Sequence, residues 1–257
     1  MAPVAESGPL LLEAGNLDGT ATSWLEAHWM FISWALALFG LGFLAARKRD
    51  PLWHGWLAFV MYCFHQAEEH AYDFRGWRYA FVPALNEGIG KTLFASLCEA
   101  DMTVGCPCDP KLTLYINTTA IWIGFGGCMV LATIYPDRFL FASSLNWGTA
   151  VINGFAGHLL QVVLTGGRYN PGSVQSALMV PLGLYIIWKT QRPWLCLAYG
   201  LFFHVIAFGV GLNVIARTKA PEEMMILFCA LVALVVPLAL SSWIEHPRTS
   251  YNYKSLQ

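Results

Sequence analysis

Residues 25–46 read LEAHWMFISWALALFGLGFLAA, and the chain then turns cationic at Arg47-Lys48-Arg49 before Asp50. Past Glu26 and His28 the stretch holds no ionisable side chain up to Arg47. A run of about 18–23 apolar residues ended by charge is what a helix needs to cross a hydrocarbon layer. Working outward from it, the same pattern recurs. Further spans are expected at roughly 52–72, 113–134, 141–165, 171–189, 193–216 and 222–244. The chain therefore reads as an all-α, polytopic membrane helix bundle of about seven transmembrane helices. A polar segment, 1–24, precedes one bundle domain, 25–244, which carries a polar loop at 73–112, and a tail, 245–257, follows.

Composition supports this reading. The 257 residues are 56% hydrophobic and 12% charged, against about 25% charged in a soluble domain. The 11 Trp fit side chains placed at membrane–water interfaces. A net charge of −1 offers no basic patch for nucleic acid. No internal repeat suggests a two-fold transporter. The first 28 residues lack Lys and Arg, so the first span is expected to serve as its own uncleaved signal. Lys and Arg divide almost evenly between the two sides, but the Arg47-Lys48-Arg49 cluster places the N-terminus outside or lumenal and the C-terminus in the cytosol.

Of seven Cys, four (Cys63, Cys128, Cys196, Cys229) fall inside apolar runs and read as core residues. Cys98, Cys106 and Cys108 share the polar loop, where a disulfide is open and the short Cys106-Pro-Cys108 spacing does not suit zinc. Asn117-Thr118-Thr119 is a glycosylation sequon placed too near the membrane for use.

The chemistry is concentrated in the second span, at His65-Gln66-Ala67-Glu68-Glu69-His70-Ala71-Tyr72. Charge within a bilayer is costly and marks function. On a regular helix His65, Glu68, Glu69 and Tyr72 share one face, while His70 is rotated by about 140°. His and carboxylate three or four residues apart is a metal-ligand spacing. In the fourth span, Asn153-Gly154-Phe155-Ala156-Gly157-His158 sets His158 at the depth of His65, roughly 10 Å below the outer face. His204 lies nearer the midplane. Asn117, Tyr169 and Asn170 gather toward the same side. Asn170-Pro171-Gly172 is in itself ordinary turn chemistry, and Glu222-Glu223 after Pro221 suits a helix N-terminus.

These residues resemble the HXXEE-domain family of small polytopic membrane proteins. The resemblance rests on His65-x-x-Glu68-Glu69, Asn117, His158, and Tyr169-x-Pro171-Gly172 followed by an apolar span with Pro181, and it covers about 52–210. The loop around Cys98–Cys108 has no counterpart in it. The resemblance implies an intramembrane polar centre and supplies no substrate.

The expected function is an integral membrane enzyme whose centre binds a divalent metal, zinc or iron, and acts on a lipid or other apolar substrate. His65, Glu69, His158 and His204 would be metal ligands, and Glu68 and Tyr72 catalytic groups. Asn117, Asn153, Tyr169 and Asn170 would line the substrate pocket. Hydrolysis or lipid modification ranks first. A non-haem iron oxidoreductase is the nearest alternative. A metal-free acid–base isomerase or cyclase, using a partly protonated Glu68 or Glu69, is another. A proton-coupled transporter or sensor needs polar residues across the whole membrane, whereas the cytosolic halves of the spans read as almost purely apolar apart from His54. A purely structural subunit would have no reason to bury Glu68 and Glu69 level with two imidazoles.

Overall fold

The computed structural model describes residues 23–78, 80–81, 84, 110–190, 192–218 and 220–245. The Cys98–Cys108 tract, nearly all of the N-terminal segment and the tail beyond Glu245 lie outside the described residues.

Helix α1, Trp24–Ala46, starts where the Ser23 hydroxyl accepts the Glu26 N–H at 3.2 Å, a side-chain cap on an otherwise orphaned donor. It stops at the cationic cluster, where Arg47 pairs with Asp50 at 2.9 Å. Asp50 also accepts the Leu52 N–H at 2.8 Å, and the Trp53 indole N–H reaches back to the Leu44 carbonyl at 2.9 Å. This closes a hairpin onto α2, residues 53–71. Then come α3 (110–134), α4 (Ala142–Leu164), α5 (Ser173–Trp188), α6 (Pro193–Ile215) and α7 (Met224–Glu245). Pro193 opens α6 at the position where its missing N–H costs nothing.

Among the described residues, α1, α3, α4, α6 and α7 are long and apolar enough to cross a membrane. Two helices expected as spans fall short on those criteria. α5 has 16 residues, roughly 24 Å at 1.5 Å per residue against a hydrocarbon core of about 30 Å. α2 carries Glu68 and Glu69 at its end.

α4 is the central post. Every residue from Ala142 to Val151 is buried. Gly148 and Gly200 permit backbone-on-backbone packing with α6: a Cβ on Gly148 would collide with the Cys196 carbonyl, and one on Gly200 with the Gly148 carbonyl. Small residues let apolar helices approach in this way. α7 caps the start of α4, since Glu245 accepts the Phe141 N–H at 2.9 Å and Ser241 accepts the Ala142 N–H at 3.0 Å. Exposed Trp188, Trp194 and Trp243 sit at the bundle end that holds Arg47, the position of an aromatic belt.

The other end of the bundle is built differently. α2 widens to a π-helix over Ala67–Ala71, α3 over Thr118–Phe125, α4 over Asn153–Leu159 and α6 over Val205–Leu212, and away from the cluster α7 does so over Leu231–Val235. Such i→i+5 turns are uncommon and collect at functional sites. The first four surround the polar cluster.

Candidate metal centre

Three side chains converge from two helices. His65 Nε2 lies 3.3 Å from Glu69 Oε1, one turn along α2, and His158 Nε2 from α4 lies 3.0 Å from the same oxygen. The two imidazoles meet edge to face at 4.6 Å. All three residues are buried, and one ligand atom from each lies within 4.8 Å of the others.

The protons at His158 are fixed by its partners. Nδ1 lies 2.7 Å from the Pro171 carbonyl, which can only accept, so Nδ1 carries a proton and donates it there. Asn170 Oδ1 is a second acceptor at 2.9 Å. In a neutral imidazole the other nitrogen then presents a lone pair. That nitrogen is buried and faces the Glu69 carboxylate at 3.0 Å. A lone pair set against a carboxylate is repulsive unless a proton or a metal cation lies between them. Two ligands at about 2.0–2.1 Å on a tetrahedral ion stand roughly 3.3 Å apart; the 3.3 and 3.0 Å separations here match both that spacing and an N–H···O pair from an imidazolium. A ring N–H given to a backbone carbonyl while the other nitrogen faces the metal is the usual support of a ligating histidine.

The turn between α4 and α5 is built around this ring. Gly166 and Gly167, both at positive φ, end α4. Gly172 has φ +89°, and a Cβ there would sit 2.7 Å from His158 Cε1 and 2.9 Å from His65 Cε1. Only glycine meets both demands. The Asn-Pro-Gly turn, ordinary in sequence, therefore walls the two imidazoles.

Glu68 is turned away from the cluster. It accepts the Val174 and Gln175 backbone N–H groups at 3.2 and 2.8 Å and the Tyr169 hydroxyl at 2.9 Å. It thus caps α5 from another helix, a favourable place for a carboxylate. Burial and the nearby Glu68 charge push the Tyr169 phenol above its usual range, so it stays a donor.

Tyr72, expected to share a face with His65, is 57% exposed and packs near Phe31 at 6.1 Å between ring centroids. The cause is the π segment, which turns less per residue and gives way at Tyr72 to extended backbone. The same widening brings in His70, which an ideal helix sets on another face. Its Nε2 lies 3.5 Å from Glu69 Oε2 and 3.3 Å from Asn117 Nδ2. Asn117 also accepts from Gln66 at 3.2 Å, Gln66 accepts from Ser33 at 2.8 Å, and Ser33 accepts from the Trp122 indole at 3.1 Å. Gln66, Ser33 and Trp122 were not singled out from sequence, although Gln66 lies inside the decisive stretch.

His204 stands outside the triad. Its Nδ1–H donates to Gly200 O at 2.7 Å, and its Nε2 is 3.2 Å from Asn153. The Asn153 amide also lies 2.9 Å from His65 Nε2, so it bridges the two rings.

A cavity of about 390 Å³ opens beside Glu69, within the roughly 300–1,000 Å³ of small-molecule sites. Glu69, His70, Asn117, Asn153 and His204 mark its polar end, and the remaining wall is almost wholly apolar. Of the four residues expected to line a pocket, Asn117 and Asn153 do. Tyr169 and Asn170 instead hold Glu68 and His158 in place.

The half of the bundle at the Arg47 end is less uniformly apolar than the sequence suggests. His54 Nε2 pairs with Ser143 Oγ at 3.1 Å, and Asn146 is buried with both amide atoms unbonded among the described residues. The recorded bonds of His54 and Ser143 stay within that half.

No curated protein and no solved structure matches the chain. Residues 56–186, just over half of it, match a family described as proteins of unknown function with an HXXEE motif. The matched region holds the His65-x-x-Glu68-Glu69 signature together with His158 and the turn that fixes it, and on that match the chain belongs to the HXXEE family.

Proposed function

We propose that this protein is a metal-dependent integral membrane enzyme acting on a lipid or other apolar substrate, with hydrolysis or lipid modification as its chemistry. The observation that carries the reading is the orientation of His158. Its Nδ1–H is committed to the Pro171 carbonyl, so Nε2 is turned at 3.0 Å onto a carboxylate that His65 also approaches. His65, His158 and Glu69 would hold the ion, and the adjoining cavity would supply the open coordination position that catalytic sites keep. A zinc ion there would lower the pKa of bound water to about 7. Coordination through His65 Nε2 requires the Asn153 amide to yield that nitrogen. Glu68, committed to the α5 cap, is replaced as candidate general base by His70, which lines the cavity beside Glu69. In this reading α2 and α5 join the five long helices as spans, the N-terminus is outside or lumenal, and the centre lies toward the outer leaflet.

A second reading has specific support. Two His and one carboxylate form the donor set of non-haem iron oxygenases as well as of zinc hydrolases. Metal identity separates the two. Elemental analysis of detergent-purified protein, prepared without chelators, is expected to find about one equivalent of zinc or iron, lost in both His65→Ala and His158→Ala. Zinc supports hydrolysis and iron supports oxidation. A metal-free wild type would overturn both and leave acid–base chemistry on Glu69 or proton-coupled transport.

A further inference from the structure

The cavity opens sideways. Leu201, Val205 and Gly209 repeat every fourth residue on one face of α6, and all three both line the cavity and are exposed on the outside of the bundle. Leu201 is 56% exposed and Val205 50%. Across from them on α4 stand Ala156 and Gly157, and a Cβ on Gly157 would have no neighbour nearer than Asn153 Oδ1 at 3.6 Å. Small residues on facing helices leave a slot.

Depth decides what the slot faces. Leu201 and Val205 are the ninth and thirteenth residues of α6, which begins at Pro193, so they lie roughly 12 and 18 Å along it at 1.5 Å per residue. In a hydrocarbon layer about 30 Å thick that is the acyl region. The aqueous side of the cluster is closed by packing. Phe81 lies tilted against His158 at 5.0 Å between ring centroids, the Tyr169–Gly172 turn presses on both rings, and Phe74 N–H donates to the Tyr169 hydroxyl at 3.0 Å.

Charge narrows the ligand further. Among the described residues no Lys or Arg lines the cavity. Two neutral imidazoles, one carboxylate and one divalent ion sum to a single positive charge. A phosphate dianion would exceed that in apolar surroundings, where unpaired charge is expensive. A hydroxyl, carbonyl or ester is served by the ion, His70 and Asn117.

We propose that the substrate is a lipid with a small, phosphate-free polar end, which enters from the bilayer through the slot between α4 and α6 and places that end at Glu69 and His70. This rests on the enzyme reading above and names its substrate class.

The test is photolabelling of the full chain in phosphatidylcholine nanodiscs. The probes are hexadecanol, hexadecyl phosphate and a phosphatidylcholine, each carrying a diazirine near mid-chain. The hexadecanol probe should label peptides spanning 152–157 and 201–209, with competition by unlabelled hexadecanol. Labelling should fall by at least about tenfold in Gly157→Leu and in Val205→Trp, which fill the slot. Because Gly157→Leu could disturb the helix, retained metal content and thermal stability in Val205→Trp keep the result interpretable. Equal, non-competable labelling by all three probes, or labelling indifferent to both substitutions, would overturn the proposal, since ordinary lipid contact gives that pattern. Preferential labelling by hexadecyl phosphate would overturn the phosphate-free assignment. Labelling that survives in a protein found to bind no metal would uphold the slot and sink the metalloenzyme, so the two readings fail separately.

Discussion

The two halves of α4 meet opposite demands. From Ala142 to Val151 the helix is buried on every side, and Gly148 is there so that the backbone of α6 can lie against it. From Asn153 to Leu159 the same helix widens and exposes Phe155; Gly154 still packs closely on α5, but Gly157 leaves space and His158 fills a polar node. One half stores stability in close packing. The other is held open, and its polar groups are supported by the 169–172 turn and by α2. The contrast teaches that glycine content alone does not locate a site, because the same residue closes one end of the helix and opens the other.

The sharpest way to break this comparison is to add bulk at each end. Gly148→Val has no free volume to enter and no flexible side chain to displace, only carbonyl backbone. It should cost about 3 kcal/mol or more and leave little folded protein. Gly157→Ala meets only an ordinary contact with Asn153 Oδ1 at 3.6 Å and should change stability by no more than about 1 kcal/mol, with the better helix propensity of Ala in its favour. Thermal unfolding in one detergent, followed by circular dichroism, checks both. Equal losses would show that the second half of α4 is as tightly packed as the first.

The next largest effect concerns metal rather than folding. Removing a ligand should weaken binding more than removing a supporting group, for which losses of about 10–100-fold are usual. His158→Ala should therefore lose metal by more than Asn170→Ala, while His54→Ala, at a half-buried histidine near the Arg47 end of the bundle, should lose none. Asn153→Ala should not weaken binding, since that amide competes for His65 Nε2. Competition against a chromophoric chelator gives the order. A loss in His54→Ala as large as in His158→Ala would refute the assignment of the triad. Gly172→Ala belongs beside these: strain at φ +89° is of order 1–3 kcal/mol, and its methyl group would press on both rings. It should lower stability and metal affinity together.

Much of this was legible in the sequence. Hydropathy placed the helices, because a bilayer demands long uninterrupted apolar runs. Depth counting put His65 level with His158, and their rings are indeed in contact. What could not be read is instructive. Tyr72 and His70 were assigned faces by regular helical rotation, and the π segment at Ala67–Ala71 exchanged them. The Pro171 carbonyl fixes His158, yet a backbone acceptor has no residue-type signature. Glu68 looked like a second catalytic carboxylate because nothing in sequence spacing announces that the N-terminus of α5 will arrive beside it.

Glu68 also supplies the finest test, because its two roles predict different readouts. As a cap it accepts two backbone N–H groups and a phenol. Glu68→Gln keeps an acceptor oxygen while removing the charge that favours a helix N-terminus. It should cost about 1 kcal/mol of stability, within the range of capping and dipole effects, and leave metal content and turnover near wild type. A general base would behave otherwise, since its loss typically removes about 10²–10⁴-fold in rate with the fold intact. Tyr169→Phe, which removes only the phenol donor to the same carboxylate, should shift stability in the same direction by less. If both variants soften the α5 junction and spare the chemistry, the acidic pair divides its labour. Glu69 then serves the ion, and Glu68 holds the turn that aims His158 at it.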